Sequence, residues 1–281
     1  MSLMITSAFN DTLQLTNDGK LSLFFIGTGS AFSKKYFQTN FLIVKGNDHV
    51  LVDCGTLCSY ALEKNYNTPI TSIRNIFVTH PHADHIGSLE EFALAGRYIS
   101  NRKINLIITD KLKKILWKQS LKGGLHYSED GHMKLSDYFD QIKPELIGKK
   151  PFEVYETDIG SINLKIFRTR HITTKANSYR KSQISYGILI DNRILFSGDS
   201  QFRPEYLEYY QKNYPVELII HDCDVSGLAE GVHASYRQLE TLDPATKAKM
   251  MLVHYNGSSE KKTPETDGFM GFVKPGVWYI F

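Results

Sequence analysis

Residues 75–92 read Asn-Ile-Phe-Val-Thr-His-Pro-His-Ala-Asp-His-Ile-Gly-Ser-Leu-Glu-Glu-Phe, and no other stretch limits the fold as strongly. The β-branched and aromatic run at 76–79 has the composition of a buried strand. It leads straight into His80-Pro81-His82-Ala83-Asp84-His85, and an amphipathic helix is predicted to start near Gly87. Side chains two apart in an extended segment point to the same side, so His80 and His82 can grip one ion together. Pro81 restrains the backbone between them and cannot continue a helix. Asp84 and His85 are adjacent, diverge, and can turn toward a second ion beside the first. Imidazole and carboxylate are ligands of Zn²⁺ sites that keep an open position. The bland alternative is a polar loop facing water, and four ligand-type residues in six positions argue against it.

His-x-His-x-Asp-His after a hydrophobic strand resembles the metallo-β-lactamase superfamily. The resemblance runs from about Leu23 to about Tyr255. It implies an α+β fold, an αββα sandwich built as a single domain over residues 1–281, with a dinuclear metal site at one edge. The hexapeptide says little about substrate.

A chain of 281 residues can bury a good core as one domain. Its 42% hydrophobic and 22% charged content is that of a globular protein. A net charge of +3 is too small to argue for nucleic acid. Cys54, Cys58 and Cys223 suggest buried free thiols, not a disulfide framework. Residues 1–19 lack the apolar run of a signal peptide, and no transmembrane span is predicted. A cytoplasmic protein is expected, which argues against a secreted antibiotic-degrading lactamase.

Residues 21–26 read as a strand that ends in Gly27-Thr28-Gly29, a plain loop beside the site or a weak phosphate-cradling signal. Residues 41–44 and 49–52 form a predicted hairpin, with His49 on the surface beside its turn. Asp53 after the second strand matches the first motif of the superfamily, where the carboxylate braces the metal loop. Helices are predicted at 56–67, from about 87 to 98, and from Asp110 as cap to 121. The last carries Lys111, Lys113, Lys114, Lys118 and Lys122, read as a solvated face. Residues 122–150 hold His126 and His132 in a segment of flexible composition, a candidate lid or partner contact. Strands are predicted near 152–155 and at 162–169.

A dinuclear site needs about three ligands beyond the loop. His171, Asp199 and His254 each follow a predicted strand, although a lone histidine is also compatible with a core or surface role. The superfamily resemblance implies a His, a bridging Asp and a late His in this order. It assigns His80, His82 and His171 to one metal and Asp84, His85 and His254 to the other, with Asp199 between them. Two divalent ions are expected, Zn²⁺ first, with Mn²⁺ and Fe²⁺ also accepting such ligands. Ions roughly 3.5–4 Å apart acidify a bridging water and suit attack on phosphorus; Asp84 counts as catalytic as well as ligating.

Between Asp199 and His254 lie His221-Asp222-Cys223-Asp224 and Val232-His233-Ala234-Ser235. This pair of motifs resembles the RNase Z and class II cyclic-nucleotide phosphodiesterase branch, and lactamases and glyoxalase II-like thioesterases lack it. The resemblance implies that His233 stabilises the transition state or protonates the leaving oxygen, with Asp222 orienting it. Arg168, Arg170, Lys175, Arg180 and Lys181 cluster around His171 in sequence, as phosphate-neutralising cations or as a solvated loop. Arg170, Lys175 and Ser235 are the candidate substrate contacts.

One departure bears on substrate. Bacterial RNase Z carries a tRNA-gripping arm between the third-motif His and the bridging Asp, whereas 199 − 171 = 28 positions separate them here. With no room for the arm, RNA is disfavoured as a partner. Cyclic-nucleotide-degrading anti-Pycsar enzymes and PhnP-like phosphodiesterases are similar in build. The expected activity is dinuclear metal-dependent hydrolysis of a small nucleotide-containing phosphodiester, with a cyclic nucleotide favoured, by attack of a metal-bridging hydroxide. An armless RNase Z-like tRNA 3′ endonuclease and a lactone or thioester hydrolase are the alternatives; a flavodiiron enzyme or a degenerate binding scaffold fits less well. The resemblance also implies a homodimer, with the aromatic tail 268–281 at an interface or completing the core.

Overall fold

The computed structural model describes residues 4–7, 11–175 and 177–281. Two eight-stranded sheets face each other. In spatial order the first runs Met4–Ser7, Val277–Ile280, Ser22–Gly27, Asn40–Lys45, Asp48–Val52, Asn75–Phe77, Ile104–Ile107 and Phe139–Ile142. The second runs Glu145–Gly148, Val154–Ile159, Ile162–Thr169, Ser185–Ile190, Ile194–Phe196, Leu218–Asp222, Met250–Val253 and Gly271–Phe272.

Alternation along the second sheet explains the layering. Ile166, Ile188, Ile190, Ile194, Phe196, Leu218, Ile220, Met251 and Val253 join the core shared with the first sheet. Their chain neighbours Phe167, Leu189, Leu195, Ile219, Met250 and Leu252 belong to a second core with Tyr206, Leu207, Tyr210, Tyr236 and Leu239. Successive strand side chains point to opposite faces, so apolar residues at both parities demand a cover on each side. Helices Pro204–Asn213 and Tyr236–Glu240 provide the outer cover. Helices Cys58–Tyr66, Leu89–Tyr98 and Asp110–Leu116 pack Ala61, Leu62, Phe92 and Leu112 into the core of the first sheet. The chain is an αββα sandwich of the metallo-β-lactamase fold.

Strand direction then fixes where function can collect. Asp48–Val52, Asn75–Phe77, Ile104–Ile107 and Phe139–Ile142 pair in parallel, and so do Ile194–Phe196, Leu218–Asp222, Met250–Val253 and Gly271–Phe272. Parallel strands deliver the loops after them to one edge of a sheet. Asp53, the histidine-rich loop, Asp199, Asp222 and His254 all lie at such ends.

Several local expectations change. The helix predicted from Asp110 is capped by Thr109, whose hydroxyl accepts the N–H of Leu112. His49 is buried, because its Nε2 accepts the backbone N–H of Arg74 at 3.0 Å. Residues 122–150 form two helical turns, a hairpin of two-residue strands and one strand of each large sheet. None of them lines the histidine cavity, so they are no lid over it. In the tail, Tyr279 is buried and Val277–Ile280 pairs with Ser22–Gly27, which completes the core. The three cysteines are free and buried. Among the described residues, no helix is long and apolar enough to cross a membrane.

Candidate metal centre

Asn75–Phe77 ends before His80, and a helical turn Ala83–Ile86 then carries Asp84 and His85. The sequence suggested an open loop up to Gly87, but the turn forms earlier because it rests on Gly55. A Cβ at Gly55 would lie 2.0 Å from the carbonyl oxygen of Asp84. A second close approach positions Asp199. Gly198 has φ +56°, and a Cβ there would lie 2.3 Å from the carbonyl oxygen of Tyr186, so only glycine lets the chain turn at this point. Asp53 and His254 also hold left-handed φ values of 60° and 64°. Such strain in non-glycine residues collects at functional sites.

The structure brings together all seven residues singled out as ligands. One ligand atom each from His80, His82, His171 and Asp199 falls within 4.8 Å of the others, as do those from Asp84, His85, Asp199 and His254. Asp199 belongs to both groups. Its Oδ2 lies 3.3 Å from His85 Nε2, 3.5 Å from His254 Nε2, 3.7 Å from His80 Nε2 and 3.8 Å from His171 Nε2.

The outward ring nitrogens explain which atoms face inward. His85 Nδ1 donates to Asp53 Oδ2 at 2.7 Å. Thr79 donates its hydroxyl proton to the same carboxylate and so accepts from His80 Nδ1 at 3.0 Å. His82 Nε2 donates to Gln183 Oε1 at 3.0 Å, and His171 Nδ1 to the Val232 carbonyl at 2.8 Å. Each donation fixes the tautomer and leaves the other nitrogen with a lone pair. Those lone pairs belong to His80 Nε2, His82 Nδ1, His85 Nε2 and His171 Nε2, which are the converging atoms. Two of them, His80 Nε2 and His82 Nδ1, sit only 2.9 Å apart.

Charge and burial agree with this reading. Burial works against the charged form of His85, yet Asp199, Asp84 and Asp53 around it push its pKa well above the ordinary value. Burial opposes ionisation of Asp199 too, but His254, His85 and His80 hold its carboxyl well below the usual range. Asp84 is pushed down to about 2 against burial, chiefly by His85. Burial lowers His171 to about 4 and holds His80 well below its ordinary value. The pocket therefore sets carboxylates and the neutral imidazoles of His80 and His171 around a position that calls for positive charge, which His85 answers with a proton. Buried His85 Nε2 makes no hydrogen bond. A donor set of imidazole nitrogens and carboxylates, with a buried nitrogen left without a hydrogen bond, fits divalent metal ions.

His233 and Asp222 stand beside this cluster. His233 Nδ1 donates to Asp222 Oδ2 at 2.7 Å, and the His233 ring stacks on His254 with centroids 5.0 Å apart. Burial opposes protonation of His233, but Asp222 raises its pKa to about 9. His82, Asp84, His171, Asp199, His233 and His254 line one cavity of about 350 Å³.

The expected substrate contacts fare differently. Ser235 is turned away as the cap of helix Tyr236–Glu240, where its hydroxyl accepts the N–H of Gln238. Arg170 meets Glu205 at 3.5 Å and lies over the Tyr179 ring, and Lys175 is exposed outside the cavity. Arg168 is buried and spends its guanidinium on the carbonyls of Thr169, Ser185, Tyr179 and Ser182. Among the described residues, no lysine or arginine lines the cavity. Arg168 and Arg180 instead border a separate cavity of about 460 Å³. Proximity in sequence misled here because the side chains of Arg168 and Arg170 turn away from the histidines, toward backbone carbonyls and Glu205. Nothing in the sequence pointed to Gln183, which lies 101 positions from the His82 it orients. The Gly27-Thr28-Gly29 turn serves backbone pairing, as the Thr28 carbonyl accepts the N–H of His254 at 2.8 Å.

Comparison with known proteins places these features in a family. The profile of the family described as Anti-Pycsar protein Apyc1 matches residues 21–279. The chain is similar to the Anti-Pycsar protein Apyc1 of Paenibacillus xerothermodurans, at 34% identity over 261 residues, covering 93% of this chain and 98% of that protein. Among solved structures it is similar to the metallo-β-lactamase fold protein YhfI from Bacillus subtilis, with TM-score 0.64 and 15% identity, covering 92% and 99% of the two chains. It is also similar in fold to unliganded yeast PDE1, with TM-score 0.65 and 14% identity, covering 94% and 100%.

Proposed function

This chain belongs to the Anti-Pycsar protein Apyc1 family, and from that premise we propose that it is a metal-dependent phosphodiesterase whose substrate is a small nucleotide-containing phosphodiester, with cyclic nucleotides favoured. The observation that carries this reading is that His233, held by Asp222, lines the same cavity as members of both ligand groups. Family membership supports it, since cyclic-nucleotide-degrading anti-Pycsar enzymes are among the proteins the sequence resembles in build.

His80, His82, His171 and Asp199 would hold one divalent ion, and Asp84, His85, His254 and Asp199 the other. Bound there, such ions would acidify water and neutralise phosphate oxygens. That matters in this cavity because no lysine or arginine among the described residues is present to do so. Asp53, Thr79 and Gln183 orient the imidazoles. Asp222 holds the Nδ1 proton of His233, which leaves the Nε2 proton for the leaving oxygen as the P–O bond breaks. Zn²⁺ is the first choice of ion on ligand chemistry.

The test incubates metal-loaded protein with 3′,5′- and 2′,3′-cyclic nucleotides, bis-p-nitrophenyl phosphate, pre-tRNA and a lactone. Turnover of cyclic nucleotides, lost in His233→Ala, is expected. Inertness toward every diester, or lactone hydrolysis that survives His233→Ala, would overturn the proposal.

A further inference from the structure

Phe32 and Leu228 are 92% and 93% exposed, and among the described residues no other large apolar side chain is as open to solvent. Both line the cavity that holds the histidines. They come from separate loops, and each loop is tied down. Ser30 donates its N–H to the Tyr255 carbonyl at 2.9 Å, Ser33 donates to the Ser30 carbonyl, and Gln38 Nε2 reaches the Ala31 carbonyl at 3.3 Å. In the other loop, Asp224 Oδ1 accepts from the N–H and the hydroxyl of Ser226, and its Oδ2 accepts the N–H of Ala229 at 2.8 Å. The Leu228 N–H in turn donates to the Ser226 hydroxyl. Asp224 and Ser226 also line the cavity, yet their polar groups are already engaged. Apart from Ser30, what these two loops offer a ligand is therefore apolar surface. An anchored apolar wall beside convergent polar groups is the usual form of a small-molecule site.

We propose that Phe32 and Leu228 form a subsite that receives the face of a nucleobase at the mouth of the histidine cavity. The proposal rests on the nucleotide reading above. A nucleotide places its charged phosphate and its flat, weakly polar base several ångströms apart, and the cavity separates a ligand-rich floor from an apolar rim in the same way. Aromatic side chains hold bases by stacking, and an aliphatic neighbour shields the remaining face from water.

The test is calorimetric binding of AMP and of ribose 5-phosphate to metal-loaded protein, for wild type, Phe32→Ala, Leu228→Ala and Phe32→Trp. Wild type should bind AMP more tightly than ribose 5-phosphate. Phe32→Ala should weaken AMP by about 5- to 150-fold, the range of base–aromatic stacking, and leave ribose 5-phosphate unchanged; Phe32→Trp should retain AMP. Equal affinity of wild type for the two ligands would overturn the subsite. So would alanine variants that keep AMP affinity but change sedimentation, which would assign the two side chains to contact between copies of the chain. Because neither ligand is a diester, this outcome is independent of the turnover assay. Both side chains are solvent-exposed, so thermal melts of the variants should match wild type.

Discussion

Asp222 Oδ2 accepts the Nδ1 proton of His233 at 2.7 Å, and the same oxygen takes the backbone N–H of Ser200 at 3.0 Å, in the segment that carries Asp199. One buried carboxylate thus ties the candidate proton donor to the strand end that supplies the shared ligand. Replacing it by Asn keeps the shape and removes the charge that holds His233 protonated. Asp222→Asn is expected to lower kcat on a cyclic nucleotide by roughly 10²–10⁴-fold, with metal content unchanged by elemental analysis. A wild-type kcat in that variant would show that Asp222 does not act through His233.

The pH profile gives a second reading of the same pair. His233 is raised to about 9, against burial, by Asp222. Its protonated form is present below that value and lost as pH rises through it. The kcat/KM profile should therefore carry a descending limb at or below about pH 9, because bound cations lower it. In His233→Gln the limb should be absent, and in Asp222→Asn it should move to lower pH. An unaltered limb in the Gln variant would assign it to another group.

Asp53 touches no inward-facing ligand atom, yet it fixes His85 directly and His80 through Thr79. Asp53→Ala is expected to weaken metal affinity by about 10- to 100-fold, read by competition with a chelator. Equal affinity in the variant would mean that packing alone orients the imidazoles.

Metal binding and stability should be linked through Asp199, whose Oδ2 lies within 3.3–3.8 Å of four imidazole nitrogens. Wild type should bind two ions per chain and melt at a temperature that rises with free metal. At a thousand-fold excess over Kd, binding to the folded state alone adds roughly 4 kcal/mol. Removal by chelation should reverse the gain, and Asp199→Ala should show little of it. Single-ion stoichiometry in wild type would refute the two-site assignment.

His49 offers a prediction far from the cavity. Burial lowers its pKa from 6.5 to about 4. The unfolded chain therefore binds a proton at higher pH than the folded one, and stability falls as pH drops from about 6.5 to about 4. The contribution is on the order of 3 kcal/mol across that window. Urea unfolding of His49→Gln should show a smaller loss between pH 7 and pH 5 than wild type. Parallel pH dependences would exclude His49 as a source.

Legibility in the sequence followed the range of the interactions. The histidine-rich loop could be read because its four ligand types sit within six positions at the end of an apolar strand. His171, Asp199 and His254 could be read because each follows a strand, and parallel strands bring such ends to one edge. Ser235 could not, since its hydroxyl chooses between a ligand and the Gln238 N–H only once the helix after it exists. Arg168 and Arg170 could not, because nearness to His171 in sequence says nothing about the side of the loop to which a side chain turns. His49 was misplaced for a related reason: it flanks a turn, but the Arg74 N–H that draws it inward lies 25 positions away.

By itself, then, the sequence determined the strand ends that bear ligand-type residues and the order in which they occur, while its motif resemblance implied the layered class of fold. Those properties depend on periodicity and on short spacings, which survive in one dimension. Only the folded structure decided which nitrogen of each imidazole faces inward, that His233 turns Nδ1 to Asp222, and that Phe32 and Leu228 border one cavity. Each of these depends on a contact between distant segments, and its partner is defined only after both sheets have closed on their common core.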